Sequence, residues 1–218
     1  MNHGFLQELI NLGISLVVTF LVWRFYKNRT FAPDERYSTF GPRFWTGWAD
    51  SCVMWPIAAM SFAALSLSLP RSLVALVLIV ERLAWLLYTV VIHALYGQTV
   101  GKITTKVRVV DYRTEGSISW RQAWLREGIP LAISLGILGW QVYQLLTGSI
   151  DPKTLTSGNT SGMGGSFWLL EALPVLWFVA EVLSMLTNEK RRALHDLIAG
   201  TVVVRTNIEE PIGEPEAA

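Results

Sequence analysis

Five stretches of the chain are apolar for long enough to cross a bilayer, whose hydrocarbon core takes about 20 helical residues. They run roughly from Phe5 to Trp23, Phe44 to Leu67, Leu73 to Leu95, Ile129 to Leu146 and Phe167 to Leu186. The polar intervals between them differ in charge. Arg24, Lys27, Arg29, Arg36 and Arg43 follow the first stretch; Lys102, Lys106, Arg108, Arg113, Arg121 and Arg126 follow the third. Lys190, Arg191, Arg192 and Arg205 follow the fifth, which makes fifteen of the eighteen basic residues on alternate sides. Arg71 and Lys153 fall on the opposite side, and Arg82 lies inside the third stretch. The positive-inside rule then places the N-terminus outside and the C-terminus in the cytoplasm.

The fold class expected is an all-α membrane protein, a bundle of about five transmembrane helices. At 51% hydrophobic and 16% charged residues, the 218-residue chain is too apolar for an ordinary soluble domain. Ten tryptophans suit membrane–water interfaces. A net charge of +1 gives no global pull toward nucleic acid. The single cysteine, Cys52, lies in an apolar run, which excludes a disulfide framework or a CxxC metal site. Met1 to Leu9 carries no Lys or Arg, so the first stretch reads as a retained span, not a signal peptide. The Gly/Ser/Thr-rich segment Gly148–Ser166 reads as a flexible external loop, and the acidic tail 206–218 as disordered.

Between the third and fourth stretches lies "LYGQTVGKITTKVRVVDYRTEG", Leu95 to Gly116, which has soluble β character. From Lys102 the pattern alternates: Ile103, Val107 and Val109 on one side, Lys102, Thr104, Lys106 and Arg108 on the other. Period two with β-branched residues predicts a strand. Arg113–Gly116 predicts a turn, and Ser119 with Gln122 a capping box opening a short helix. That helix would carry Trp120 and Trp124 on one face. The fold class therefore includes a short cytoplasmic β-hairpin and amphipathic helix at the bilayer surface. Lys102, Lys106, Arg108, Trp120 and Trp124 are its candidate lipid or partner contacts. Gly97–Ile103 is no phosphate loop, because three residues separate the glycines and Ile103 stands where a hydroxyl is needed. A helix end capped by Gly97 fits better.

Tyr96–Glu127, with "YGQTVGKITTKVRVVDYRTEG", and Arg191–Val204, "RRALHDLIAGTVVV", resemble segments of the RDD family of integral membrane proteins. By motif, the family's arginine falls on Arg43, its first aspartate on Asp50 and its second on Asp196. The resemblance covers roughly Pro42 to Val204. It divides the chain into an extra N-terminal helix with a basic linker (1–41), an RDD-like transmembrane domain (42–205) and the tail. Gly97 and Gln98 shift the usual glycine by one residue. The resemblance implies a membrane location, in a bacterial inner membrane, and for a few members a likeness to sodium–proton antiporters.

Arg43 and Asp50 stand seven residues apart, about 10 Å along one helix face. A carboxylate two turns into the membrane needs a partner, and Arg43 is the expected one; Asp196 would complete an Arg–Asp–Asp cluster. This cluster is read either as a proton or cation site or as a clasp that fixes helix packing, with the clasp favoured. Glu81 and Arg82 point about 100° apart in the third span, so each needs a partner on another helix. Arg82 with Glu181 is the preferred pair, leaving Glu81 facing the bundle as a candidate relay. Pro56 and Pro174 would kink spans two and five. His93 reads as an interfacial ring. His195 and Asp196 alone do not make a metal hydrolase site. No metal, cofactor or enzymatic site is expected. The leading activity is cation–proton exchange or other small-solute transport, with a homo-oligomer or membrane-protein partner. The alternative is a scaffold that docks a partner or anionic lipid through the basic segment.

Overall fold

A computed structural model describes residues 3–67, 69–157 and 165–209. The elements are α1 (His3–Lys27), a 3-10 turn (Pro33–Glu35), α2 (Phe40–Ser66), α3 (Arg71–Tyr96), α4 (Val100–Thr104) and β1 (Val107–Asp111). After these come α5 (Trp120–Thr147), α6 (Pro152–Ser157), α7 (Gly165–Thr187), α8 (Leu194–Ala199) and β2 (Thr201–Arg205). Helices α1, α2, α3, α5 and α7 are each long and apolar enough to span a bilayer. Their outward residues are large and apolar, as in Leu169, Leu176 and Val175 on α7. Helical geometry closes the backbone hydrogen bonds within each span, as hydrocarbon demands, except at the carbonyls left without a donor by Pro56, Pro130 and Pro174. The chain is an integral membrane protein built as a helical bundle.

Helices adjacent along the chain pack together: α1 on α2, α2 on α3, α3 on α5, and α5 on α7. Leu65, Val74, Leu78, Leu138 and Leu145 form the core where α2, α3 and α5 meet at one end of the bundle. The other end carries the short elements and is called here the sheet end. Gly97 ends α3 in the left-handed region (φ 67°), and its carbonyl accepts from Val109 N at 2.7 Å. A Cβ at Gly97 would overlap the Val109 carbonyl, so the tight reversal requires glycine.

Three expectations for this segment need correction. The strand does not begin at Lys102: Val100–Thr104 is a helical turn, N-capped by Thr99, whose hydroxyl accepts from Lys102 N. Lys102 therefore turns inward and Ile103 outward, the reverse of a strand's alternation. Second, β1 has no local hairpin partner. It pairs antiparallel with β2, Val107 opposite Arg205 and Asp111 opposite Thr201, nearly a hundred residues later. Third, Ser119 and Gln122 do form the expected capping box, yet the helix they open is no short surface helix. It runs unbroken from Trp120 through Thr147 as the fourth span, with Trp120 and Trp124 exposed on its first turns.

Both faces of the two-stranded sheet are covered. Val107, Val109 and Val203 pack with Val90, Ile118 and Ala123; Val110, Val202 and Val204 pack beneath Tyr37. That explains why β2 reads "TVVVR" as a continuous apolar run and not an alternation. Beyond β2 the chain stays tied down. Phe31 and Ile208 form a parallel bridge, Glu209 N donates to the Phe31 carbonyl at 2.9 Å, and the Arg205 guanidinium lies 3.6 Å from the Phe31 ring centroid. These contacts fasten the linker after α1 to the end of the sheet. The rest of the expected tail, 210–218, and the centre of the expected external loop, 158–164, lie outside the described residues.

Candidate functional site

Asp196 is the hub of the sheet end. It sits at the third position of α8 and is 0% exposed. Oδ2 accepts from Arg43 Nη1 of α2 at 2.5 Å and from Ala193 N at 3.1 Å; Oδ1 accepts from Arg126 Nη1 of α5 and from Thr201 Oγ1 at 3.0 Å. One carboxylate thus joins α2, α5, α8 and β2. Burial alone would raise its pKa, but the Arg126 and Arg43 guanidiniums outweigh that and hold it well below the usual carboxylate range. Arg192 closes the rim, donating from Nη2 to the Asp196 carbonyl and from Nε to the Thr201 carbonyl.

Asp50 forms a separate node, and the expected Arg43–Asp50 pair is not made. Asp50 points from α2 toward α4: Oδ1 accepts from Tyr88 Oη at 2.7 Å and Gly101 N at 2.8 Å, and Oδ2 from Thr99 Oγ1 at 2.9 Å. Tyr88 Oη in turn accepts from Val100 N. Asp50 and Tyr88 together satisfy the first amides of α4, a helix start capped from neighbouring helices. Seven residues along α2 separate Asp50 from Arg43, so each reaches a different partner. Close approach of α4 to α2 also needs Gly101, where a Cβ would overlap the Thr46 carbonyl. Gly101→Ala should therefore lower stability by about 1–3 kcal/mol through overpacking, read as a lower melting temperature of the detergent-purified protein.

The preferred Arg82–Glu181 pair is absent as well. Glu181, in the last third of α7, bonds His195 Nδ1 instead. Arg82 sits near the middle of α3 and lines three cavities. With Glu81 it lines one of about 430 Å³ bounded by Asn11 and Ser15 of α1, Ser51 and Trp55 of α2, and Trp85. The Trp55 indole N–H there is buried without an acceptor. A second cavity, of about 260 Å³, runs past Thr89, Pro130 and Ser134 to Glu127. A third, of about 350 Å³, runs past Ser134 and Gln141 to Glu171 and Pro174. The last two share Arg82, Pro130 and Ser134, so ionisable groups line the space between α3, α5 and α7 along much of its length. Pro56, Pro130 and Pro174 all lie inside continuous helices.

Lys102 is not displayed to a lipid surface or partner: it is 9% exposed and faces a fourth cavity. Burial, aided by the nearby Arg126 charge and opposed by Asp50 and Glu127, lowers its ammonium to about 8. Arg108 is exposed and its Nε caps the Tyr96 carbonyl at the end of α3. Lys106 adopts φ 56° at the start of β1. His93, in the last turn of α3, is buried beside Glu127, 3.8 Å away, and so is not displayed on the outer surface of the bundle. Among the described residues no group of three His, Cys, Asp or Glu side chains could hold a metal ion.

Sequence reading missed Arg126, Tyr88, Thr99 and the His195–Glu181 pair. Arg126 carried no distinct local signal, since it stands among Arg121, Gln122 and Glu127 in the polar first turns of α5. The RDD family model matches residues 37–200, from just before α2 through α8. No curated protein and no solved structure matches the chain.

Proposed function

This chain belongs to the RDD family, and we propose that it exchanges a small cation for protons across the membrane, with Glu81 holding either one. The observation that carries this reading is the cavity of about 430 Å³ where Glu81 meets Asn11, Ser15 and Ser51. A carboxylate deep in an apolar bundle is stable when protonated or when matched by a cation. Hard cations take oxygen ligands, and the amide and hydroxyl oxygens of Asn11, Ser15 and Ser51 stand around the same space. Proton and cation then compete for one carboxylate, which is the requirement for exchange. Asn11 and Ser15 come from α1, outside the family match, so this chain's additional helix completes the site.

Arg82 stands where this cavity meets the polar space between α3, α5 and α7. Protons would pass along Glu171, Gln141 and Ser134 on one side of it and Glu127 on the other. Carbonyls freed by Pro130 and Pro174 add acceptors to that route. The alternation of basic residues supports a sheet end in the cytoplasm of a bacterial inner membrane. The docking alternative has less to stand on, because the inward turn of Lys102 leaves Arg108, Trp120 and Trp124 as its displayed part. In everted membrane vesicles from an exchanger-deficient host, sodium, lithium or potassium should dissipate an imposed pH gradient. Glu81→Gln at matched folded protein should abolish that response, whereas a wild-type response from the variant contradicts the role given to Glu81.

A further inference from the structure

The fourth cavity, of about 170 Å³, opens between α2, α4, α5 and α7 at the sheet end. Arg43, Lys102, Arg126 and His195 line it, with Glu181 beside His195. Arg43 spends one nitrogen on Asp196; its Nε and Nη2 are buried and have no acceptor. Its side chain is only 10% exposed. His195 Nε2 is also buried without a hydrogen-bond partner. Lys102 makes no ion pair among the described residues. Arg43, Lys102 and Arg126 thus line the cavity with one carboxylate, Glu181, while Asp196, Asp50 and Glu127 act on them from outside its lining. Buried guanidinium donors left without acceptors are costly, so the arrangement calls for an anion that offers several oxygens at once.

We infer that this cavity binds the phosphate group of an anionic phospholipid, held by Lys102, Arg43 and Arg126. A phosphate supplies multiple acceptors to donors converging from three helices, which neither a single halide nor one carboxylate does as well. The rim gives the source of the phosphate. Phe40, Phe44 and Phe178 line the mouth, and all three are exposed on the outer surface of the bundle. Arg43 lies in the first turn of α2, Met185 in the last turn of α7 and Arg126 in the second turn of α5. That is the depth at which headgroup phosphates meet hydrocarbon. Acyl chains would then lie along Phe44 and Phe178 while the phosphate enters between the cations. The site is independent of Glu81 and its cavity.

The test titrates detergent-purified protein with dioleoylphosphatidylglycerol, dioleoylphosphatidylcholine and inorganic phosphate, and counts bound molecules by native mass spectrometry. Phosphatidylglycerol should bind about tenfold or more tightly than phosphatidylcholine, and Lys102→Met should weaken it about tenfold, each a difference near 1.4 kcal/mol. Lys102→Arg should retain it. Equal binding of the two lipids, or phosphatidylglycerol binding untouched by Lys102→Met, overturns the inference. Inorganic phosphate that binds as tightly and displaces the lipid overturns the lipid source. Should Lys102→Met fail to fold, Phe44→Glu places a carboxylate at the exposed mouth. It should repel phosphatidylglycerol, and unchanged binding to that variant overturns the inference equally.

Discussion

Asp196→Asn is expected to destabilise the protein by about 3–5 kcal/mol, the usual cost of removing one partner from a buried ion pair. The side chain is fully buried and receives four hydrogen bonds, two from guanidiniums on different helices. Asparagine keeps the shape but turns an N–H₂ toward one set of donors. It also leaves Arg43 and Arg126 uncompensated in an apolar surrounding. The loss should appear as a large drop in melting temperature and in the amount of folded protein recovered in detergent. A triple replacement, Asp196→Leu with Arg43→Met and Arg126→Met, removes the orphaned charges together. It should recover much of the stability, because a buried triad replaced by apolar groups is often neutral or better. Equal instability in single and triple variants would mean that the hydrogen bonds to Ala193 and Thr201 carry the effect.

The same carboxylate sets a pH dependence whose sign follows from its lowered pKa. Its contribution is complete above the free carboxylate value, about 3.9. It is lost as pH falls below that value through the lowered native one. Wild type should therefore outlast Asp196→Asn by a constant margin from neutral pH down to about 5. That margin should shrink only in the acid range near and below the free value, about 3.9. A margin that closed already between pH 7 and 5 would show that Asp196 is not held ionised by its arginines.

Asp50→Ala carries the second large effect, a loss of about 3 kcal/mol or more, since hydrogen bonds to a charged group are each worth about 1.5–3. It strands Tyr88 Oη, Thr99 Oγ1 and Gly101 N, and with them the start of α4. Asp50→Asn should be milder, because its remaining oxygen still accepts from Tyr88 and Gly101. The functional consequence is specific. With the exchange site proposed at Glu81, Asp50 is expected to act through position and stability, so ion movement per folded molecule should survive in Asp50→Asn. Thermal melts paired with flux measurements on the same preparations separate the two. A fully stable Asp50→Asn protein without flux would place Asp50 on the ion path.

The long elements were legible because hydrophobic length and basic-residue alternation are both local signals; all five spans appear where apolar runs stand. Gly97 and the Ser119–Gln122 box were legible for the same reason, each being a cap that its own sequence satisfies. What could not be read were pairings between distant segments. β1 meets β2 across two spans, and nothing near Val107 announces Thr201–Arg205. The alternation at Lys102–Val109 was misleading because Thr99 caps a helical turn there, and that turn is held by Asp50 from another helix. The Arg–Asp–Asp residues are found by motif, and of their expected contacts Arg43 with Asp196 is made while Arg43 with Asp50 is not. Proximity along α2 suggested Arg43 with Asp50, whereas the folded bundle brings Asp196 to Arg43 and α4 to Asp50. Glu81 lines a cavity with Asn11 and Ser15, company that depends on how α1 packs and that no local signal announces.

The most direct measurement reconstitutes purified wild type, Glu81→Gln and Asp50→Asn into liposomes holding a pH-sensitive dye, and follows internal pH after a cation gradient is imposed. Reconstituted folded protein is matched across the three. Proton–cation exchange places the wild type and Asp50→Asn at comparable rates and Glu81→Gln at the rate of empty liposomes. Exchange undiminished in Glu81→Gln, or no exchange by folded wild type for sodium, lithium or potassium, would contradict the account.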